Sequence, residues 1–205
     1  MAILRPHAPI AERVLLPGDP GRALRLAQQL LDAPKMLNHH RGLWGYTGVA
    51  ADGAPLTVQS TGLGGPSTAI VVEELIGLGA RRLVRAGTCA ALVDGTAPGS
   101  LVIVESVLAQ DGTSRALGAN GALAPDPGLF AALRAAGNGA MVGPVVSADV
   151  MDAGGSGAVA LDLSTAALFA VAARHGVPAA CVLAVTEPDE QAEAELGRVA
   201  AAAVG

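Results

Sequence analysis

Arg22 follows a turn whose residue types suit an oxyanion. In Leu15-Leu16-Pro17-Gly18-Asp19-Pro20-Gly21-Arg22 an apolar run stops at a glycine, and a proline then opens a helical pattern through Ala23, Leu24, Leu26, Ala27 and Leu30. A strand feeding a helix through such a turn points free backbone N–H groups and the positive end of the helix dipole at one spot. Pro20 fits the first helical turn, where a missing N–H costs nothing. The planar fork of Arg22 adds donors matched to a phosphate-sized anion. Taken alone, the same turn reads better as an ordinary capped helix with a surface arginine. Two other apolar runs end in polar residues: Arg82–Ala86, which carries Arg85 and leads into Gly87-Thr88-Cys89, and Ala179–Val185, which leads into Thr186-Glu187-Pro188.

For these residues to act together, the elements that carry them must bring strand ends to one place. The pattern predicts strands over Arg13–Leu16, Trp44–Val49, Leu56–Ser60, Arg82–Ala86, Leu101–Leu108, Ala140–Val146 and Ala179–Val185. Helices are expected over Pro20–Leu31, Pro66–Leu78, Pro127–Ala136, Asp162–His175 and Asp189–Val204. Continuous apolar strands such as Val182-Leu183-Ala184-Val185 imply burial on both faces. Strands alternating with helices imply an α/β fold: one domain over residues 1–205, with three α/β/α layers and a central mixed sheet. Ligands in such sheets gather outside the carboxyl ends of the strands. The loop Thr61-Gly62-Leu63-Gly64-Gly65-Pro66-Ser67 departs from a dinucleotide fingerprint, because its spacing is G-x-G-G and no ribose-binding acid follows the next strand. Its glycines also serve close packing of a helix on the sheet.

Composition narrows the function classes. At 205 residues, 51% hydrophobic and 15% charged, the chain can build a substantial core and is neither disordered nor a charged tail. A net charge of −5 gives no electrostatic reason to expect nucleic acid as a partner. Aromatics are 2% of the chain, too few to stack bases along a strand. Cys89 and Cys181 lie far apart in apolar company and read as small buried residues in a reducing compartment, not as a disulfide or zinc site. The segment Met1–Ile10 lacks the apolar core of a signal peptide, and no run approaches the length of a membrane span. A soluble cytoplasmic protein is expected. His39 and His40 are adjacent near a strand, so they make a poor joint metal site.

Several ordered motifs carry a family resemblance. Gly18-Asp19-Pro20-x-Arg22, Ser60-Thr61-Gly62-Leu63-Gly64-Gly65-Pro66-Ser67, Val72-Glu73-Glu74-Leu75 and Val84-Arg85-Ala86-Gly87-Thr88-Cys89 are followed by Asp111-Gly112-Thr113-Ser114, Ser147-Ala148-Asp149 and Thr165-Ala166-Ala167-Leu168-Phe169. In this order the chain resembles the purine nucleoside and uridine phosphorylases of the trimer-or-hexamer type over nearly its whole length. The resemblance implies phosphorolysis: nucleoside plus orthophosphate gives free base and ribose 1-phosphate, with orthophosphate as co-substrate and no metal or organic cofactor. It assigns phosphate binding to Gly18, Arg22, Arg85 and Thr88, with Arg41 reaching in from a neighbouring subunit of a homo-oligomer. It also makes His7 a candidate donor to the ribose 5′-hydroxyl across a dimer.

The sugar and base half departs from that pattern. Where family members carry Glu-Met-Glu, this chain reads Asp162-Leu163-Ser164, which keeps apolar packing on the sugar but loses a carboxylate grip on its hydroxyls. Asp162 and Ser164 are equally good N-cap residues for the helix that follows. Met151 stands where the family has a base-stacking aromatic, before the short Ala153-Gly154-Gly155-Ser156-Gly157 stretch. Glu187 occupies the place of an acid that protonates N7 of a departing purine; a solvated loop acid beside Asp189 and Glu190 is the competing reading. Arg198 is the only basic residue left after Pro188. The resemblance thus makes Glu187 and Arg85 the catalytic candidates, and His7, Met151, Asp162, Leu163 and Ser164 the ribose and base contacts. The alternatives are a degenerate relative that binds phosphate or nucleoside without turnover, and a nucleosidase that uses water.

Overall fold

The computed structural model describes residues 2–153, 157–186 and 188–205. The first half of the chain runs β1 (Arg13–Leu16), α1 (Pro20–Leu30), β2 (Leu31–Asn38), a 3-10 turn at His40–Gly42, β3 (Gly45–Ala50), β4 (Pro55–Gln59), α2 (Gly64–Gly77) and β5 (Arg82–Ala91). It continues through β6 (Leu101–Ala109), α3 (Gly112–Ala116), β7 (Ala122–Leu123), α4 (Pro127–Ala136), β8 (Met141–Ser147), β9 (Ala160–Asp162), α5 (Thr165–His175), β10 (Ala179–Val185) and α6 (Glu190–Val204).

Local chemistry sets the helix ends. Asp19, Asp126 and Asp189 each accept a hydrogen bond from the backbone N–H three residues on, at 2.6, 2.9 and 2.8 Å, and so start α1, α4 and α6. A proline follows the cap in α1 and α4, where its missing N–H is harmless. α5 ends at Gly176 in the left-handed conformation (φ 63°) after Arg174 and His175, two basic residues that complement the negative end of the helix.

Every residue of β10 is buried, as its unbroken apolar run requires. The two sides of the sheet carry separate apolar clusters. One packs α2 and α5 through Val72, Leu75, Leu168 and Val171. The other packs α1, α4 and α6 through Leu26, Leu133, Leu196 and Val199. This is the expected three-layer α/β/α arrangement.

The sheet is less flat than alternation alone suggests. β5 pairs in parallel with β10 along its length, from Leu83↔Ala179 to Cys89↔Val185. Its other edge pairs with β1 only as far as Arg85↔Leu16, and with antiparallel β9 only from Ala90↔Leu161. β10, β6, β8 and β9 return to β5, so these strands close a ring, while β1, β4, β3 and β2 extend from it. Among the described residues, the edge of β5 between Arg85 and Ala90 has no strand partner, and the sheet opens there.

Two expectations are corrected. Asp162 does not begin a helix: Ala160–Asp162 is a strand, and α5 starts at Thr165. The first helix ends at Leu30, not Leu31: Leu31 opens β2, a strand the sequence pattern did not mark, which pairs with β3 through an irregular register around Ala33 (φ 42°) and Pro34.

Candidate active site

The break in the sheet is filled by a cavity of about 380 Å³, within the range of small-molecule sites. The ends of β1, β4, β5 and β10 and the start of α5 surround it, as expected for ligand binding at the carboxyl ends of strands. Gly18, Arg22, Arg85, Thr88, Met151, Asp162, Leu163 and Ser164 all line it. The loop after β1 is stitched to the loop after β4, since Thr61 N–H donates to the Pro17 carbonyl at 2.9 Å and Gly62 N–H to the Gly18 carbonyl at 3.0 Å.

Arg85 supplies the least satisfied charge. Alternation along β5 puts its side chain on the same face as Gly87, and a Cβ built on Gly87 would stand 2.9 Å from the guanidinium carbon. The absence of that atom lets the guanidinium fold back over the strand. Its Nε donates to Asp162 Oδ2 at 3.2 Å, while Nη1 is buried without any hydrogen-bond partner. An unmet donor in such a place costs about 1–3 kcal/mol, so the arrangement is suited to an incoming acceptor. Asp162 is held in turn: Ser147 Oγ donates to it, as do Thr165 N–H at 3.1 Å and Thr165 Oγ1 at 2.7 Å.

Arg22 approaches from the opposite helical layer. It is 8% exposed, in the first turn of α1, and its Nε donates to Glu193 Oε1 at 3.0 Å. Both arginines are therefore gripped through Nε by a buried carboxylate, which leaves the Nη side for a ligand. Cys89 also lines the cavity, but burial and the negative charge of Asp162 push its thiol up to about 12 against the opposing charge of Arg85. It stays protonated and is no nucleophile at neutral pH. The lining is otherwise apolar, with Leu161 buried and Leu163 half-buried, and it opens to solvent at Leu63, 84% exposed, and Met151, 57% exposed.

A family model described as the phosphorylase superfamily matches residues 12–204. The chain belongs to this superfamily. Its relatives include DeoD-type purine nucleoside phosphorylases from Bacillus cereus, 34% identical over 87% of this chain and 82% of the relative, and from Caldanaerobacter subterraneus subsp. tengcongensis, 35% identical over 87% and 83%. A crystal structure of uridine phosphorylase from Vibrio fischeri, complexed with 6-hydroxy-1-naphthoic acid, superposes with a TM-score of 0.84 at 25% identity, covering 95% of this chain and 90% of that one.

In this phosphorylase-superfamily chain Arg41, His7 and Arg198 lie apart from the cavity lining. Arg41 is exposed in the 3-10 turn with a left-handed backbone (φ 59°, ψ 22°). His7 stacks on His39, ring centroids 5.2 Å apart, and His40 Nδ1 bonds the Ile3 carbonyl oxygen at 2.8 Å. Arg198 is turned to Glu195 on the exposed face of α6, away from the site. Glu187 lies outside the described residues, as do Gly154, Gly155 and Ser156 of the glycine-rich stretch. Among the described residues no group of His, Cys, Asp or Glu could hold a metal ion, and no helix is long and apolar enough to cross a membrane.

Two roles were not anticipated. Asp162, assigned to the sugar side, spends its carboxylate on Arg85, Ser147 and Thr165. The capping expected of Asp162 and Ser164 falls to Asp162 alone, because Thr165 N–H donates to Asp162 and Ser164 makes no side-chain cap. Glu193 was missed altogether. Its signal was present in the sequence: an acid one turn before Leu196, on the stripe that continues through Val199, Ala200 and Ala203. A carboxylate on the buried face of a helix requires a cation opposite it.

Proposed function

We propose that this chain is a nucleoside phosphorylase acting on a purine nucleoside or uridine. An oxygen of orthophosphate attacks C1′ of the ribose, the C1′–N bond breaks with its electron pair passing to the base, and free base and ribose 1-phosphate leave. The observation that supports this most is the buried, unpartnered Nη1 of Arg85, beside Arg22 and Gly18 at the polar end of the cavity. Phosphate as nucleophile needs its charge matched and its attack direction fixed, and two guanidinium groups, the Thr88 hydroxyl and a helix start supply both. Arg85 is the residue proposed to touch the attacking phosphate. Glu187 is the acid proposed to protonate the departing base, which is a poor leaving group as an anion.

Orthophosphate is a co-substrate here, and the chemistry calls for no metal or organic cofactor. Leu163 and Met151 are proposed to pack on sugar and base, and Ser164 to offer an uncharged hydrogen bond. Arg41 and His7 sit outside their own chain's cavity. They are proposed to complete a neighbour's site in a cytoplasmic homo-oligomer with no nucleic acid or membrane partner.

Turnover of inosine, adenosine, guanosine and uridine, each with and without phosphate, tests the reading. Base release only with phosphate, matched by ribose 1-phosphate, is the expected outcome, with purines preferred on the strength of Glu187. Equal release without phosphate means hydrolysis. Phosphate binding with no turnover of any nucleoside means a binding protein.

A further inference from the structure

Glu193 sits 9% exposed on the apolar face of α6 and lines no part of the cavity, yet its carboxylate reaches the site through another residue. Oε1 accepts from Arg22 Nε at 3.0 Å and from Arg25 Nη2 at 2.9 Å, and Oε2 accepts from Arg25 Nε at 2.5 Å. The two arginines differ in what they face. Arg25 has a half-exposed side chain and no place in the cavity wall, whereas Arg22 is buried and lines it. Among the described residues, nothing accepts from the Nη groups of Arg22. α6 comes close enough to reach Arg22 because residue 197 is a glycine, at which a Cβ would stand 2.5 Å from Leu26 Cδ2.

We propose that Glu193 is a positioning residue for the anion site: it occupies the Nε edge of Arg22 and thereby fixes the guanidinium plane with its Nη groups left to phosphate. The proposal rests on the phosphorolysis reading for the identity of the anion. A guanidinium on a flexible stem loses rotamer freedom when it binds, and a fixed carboxylate takes that loss during folding, before phosphate arrives. The competing account is a plain tether between α1 and α6, and Arg25 separates the two. Both Arg22 and Arg25 bridge these helices through Glu193, but Arg22 alone of the pair borders the cavity.

Calorimetric titration of inorganic phosphate into wild type, E193Q, E193A and R25A, with a thermal melt of each, is the test. E193A is expected to weaken phosphate about tenfold, the scale of one charged hydrogen bond. E193Q is expected to weaken it about threefold, since an amide oxygen still accepts from Arg22 Nε without the charge. R25A stays within about twofold, as a half-exposed pair contributes little. In steady state the KM for phosphate follows these changes, while the KM for nucleoside does not. Equal weakening in R25A and E193A, or an unchanged dissociation constant in E193A, overturns the proposal. Should E193A fail to fold, E193Q decides, and an unchanged constant overturns it. If wild type binds phosphate but turns over no nucleoside, the phosphorolysis reading falls and the titrations still judge Glu193. If wild type binds no phosphate, both fall.

Discussion

At the closed end of the cavity, one arginine from the sheet and one from a helix are each held through Nε by a buried carboxylate, Asp162 for Arg85 and Glu193 for Arg22. At the mouth, Met151 is 57% exposed and Leu63 is 84% exposed. The polar end is over-determined by packing and hydrogen bonds, whereas the mouth is bounded by side chains with few neighbours to fix them. The difference teaches where binding energy is prepared in advance. A small, highly charged anion gains from fixed donors, while an apolar base gains from surface it can cover.

The contrast breaks most visibly at Arg85. Arg85→Met keeps the length and removes the charge, and phosphorolysis is expected to fall about a thousandfold, the upper range for losing a preorganised electrostatic donor. A loss of only a few-fold, in kcat/KM at saturating nucleoside, would mean that this end is not where phosphate sits. Gly87→Ala asks whether placement or charge matters. The added Cβ displaces the guanidinium that now lies 2.9 Å from that position, and roughly a hundredfold loss of activity is expected with circular dichroism unchanged.

Met151→Ala probes the other end. With its side chain already more than half exposed, truncation is expected to raise the KM for nucleoside by about threefold and leave phosphate affinity alone. A larger effect on phosphate than on nucleoside would erase the distinction between the two ends.

The smallest effect is on stability. Burial pushes the Glu193 carboxyl up, but the hydrogen bond from Arg25 and the charge and hydrogen bond of Arg22 outweigh it, leaving the group below its ordinary value of 4.5. A depressed carboxylate stabilises the fold fully above the ordinary value and loses that contribution as pH falls through the folded value. The melting temperature of wild type should therefore exceed that of E193Q at pH 6, and the gap should close as pH drops below 4.5.

What the sequence disclosed was what is local. Asp19-Pro20 and Asp126-Pro127 announce helix starts because the capping carboxylate and the N–H that donates to it are three residues apart. The all-apolar β10 announces a central strand because no face of it can meet water. β2 stayed hidden because Pro34 interrupts it and most of its middle is exposed, so neither alternation nor a continuous apolar run marks it. At the site, Arg22 and Arg85 were legible as anion-binding types, but their partners were not. Arg22 and Glu193 are 171 positions apart, and Arg85 and Asp162 are 77 apart. Asp162 looked like a helix cap or a sugar contact, and only the folded chain turns it onto Arg85. No local pattern could reveal the opening in the sheet, which exists because β1 and β9 pair with different stretches of β5.

The most direct measurement is a crystal of wild-type protein soaked in inorganic phosphate. Density for the anion within hydrogen-bond reach of Arg22 and Arg85 side-chain nitrogens and the Gly18 backbone is the predicted result, with Asp162 and Glu193 still holding the Nε edges. An empty pocket at saturating phosphate, or the two guanidinium groups turned to separate regions with the anion on neither, would contradict the account.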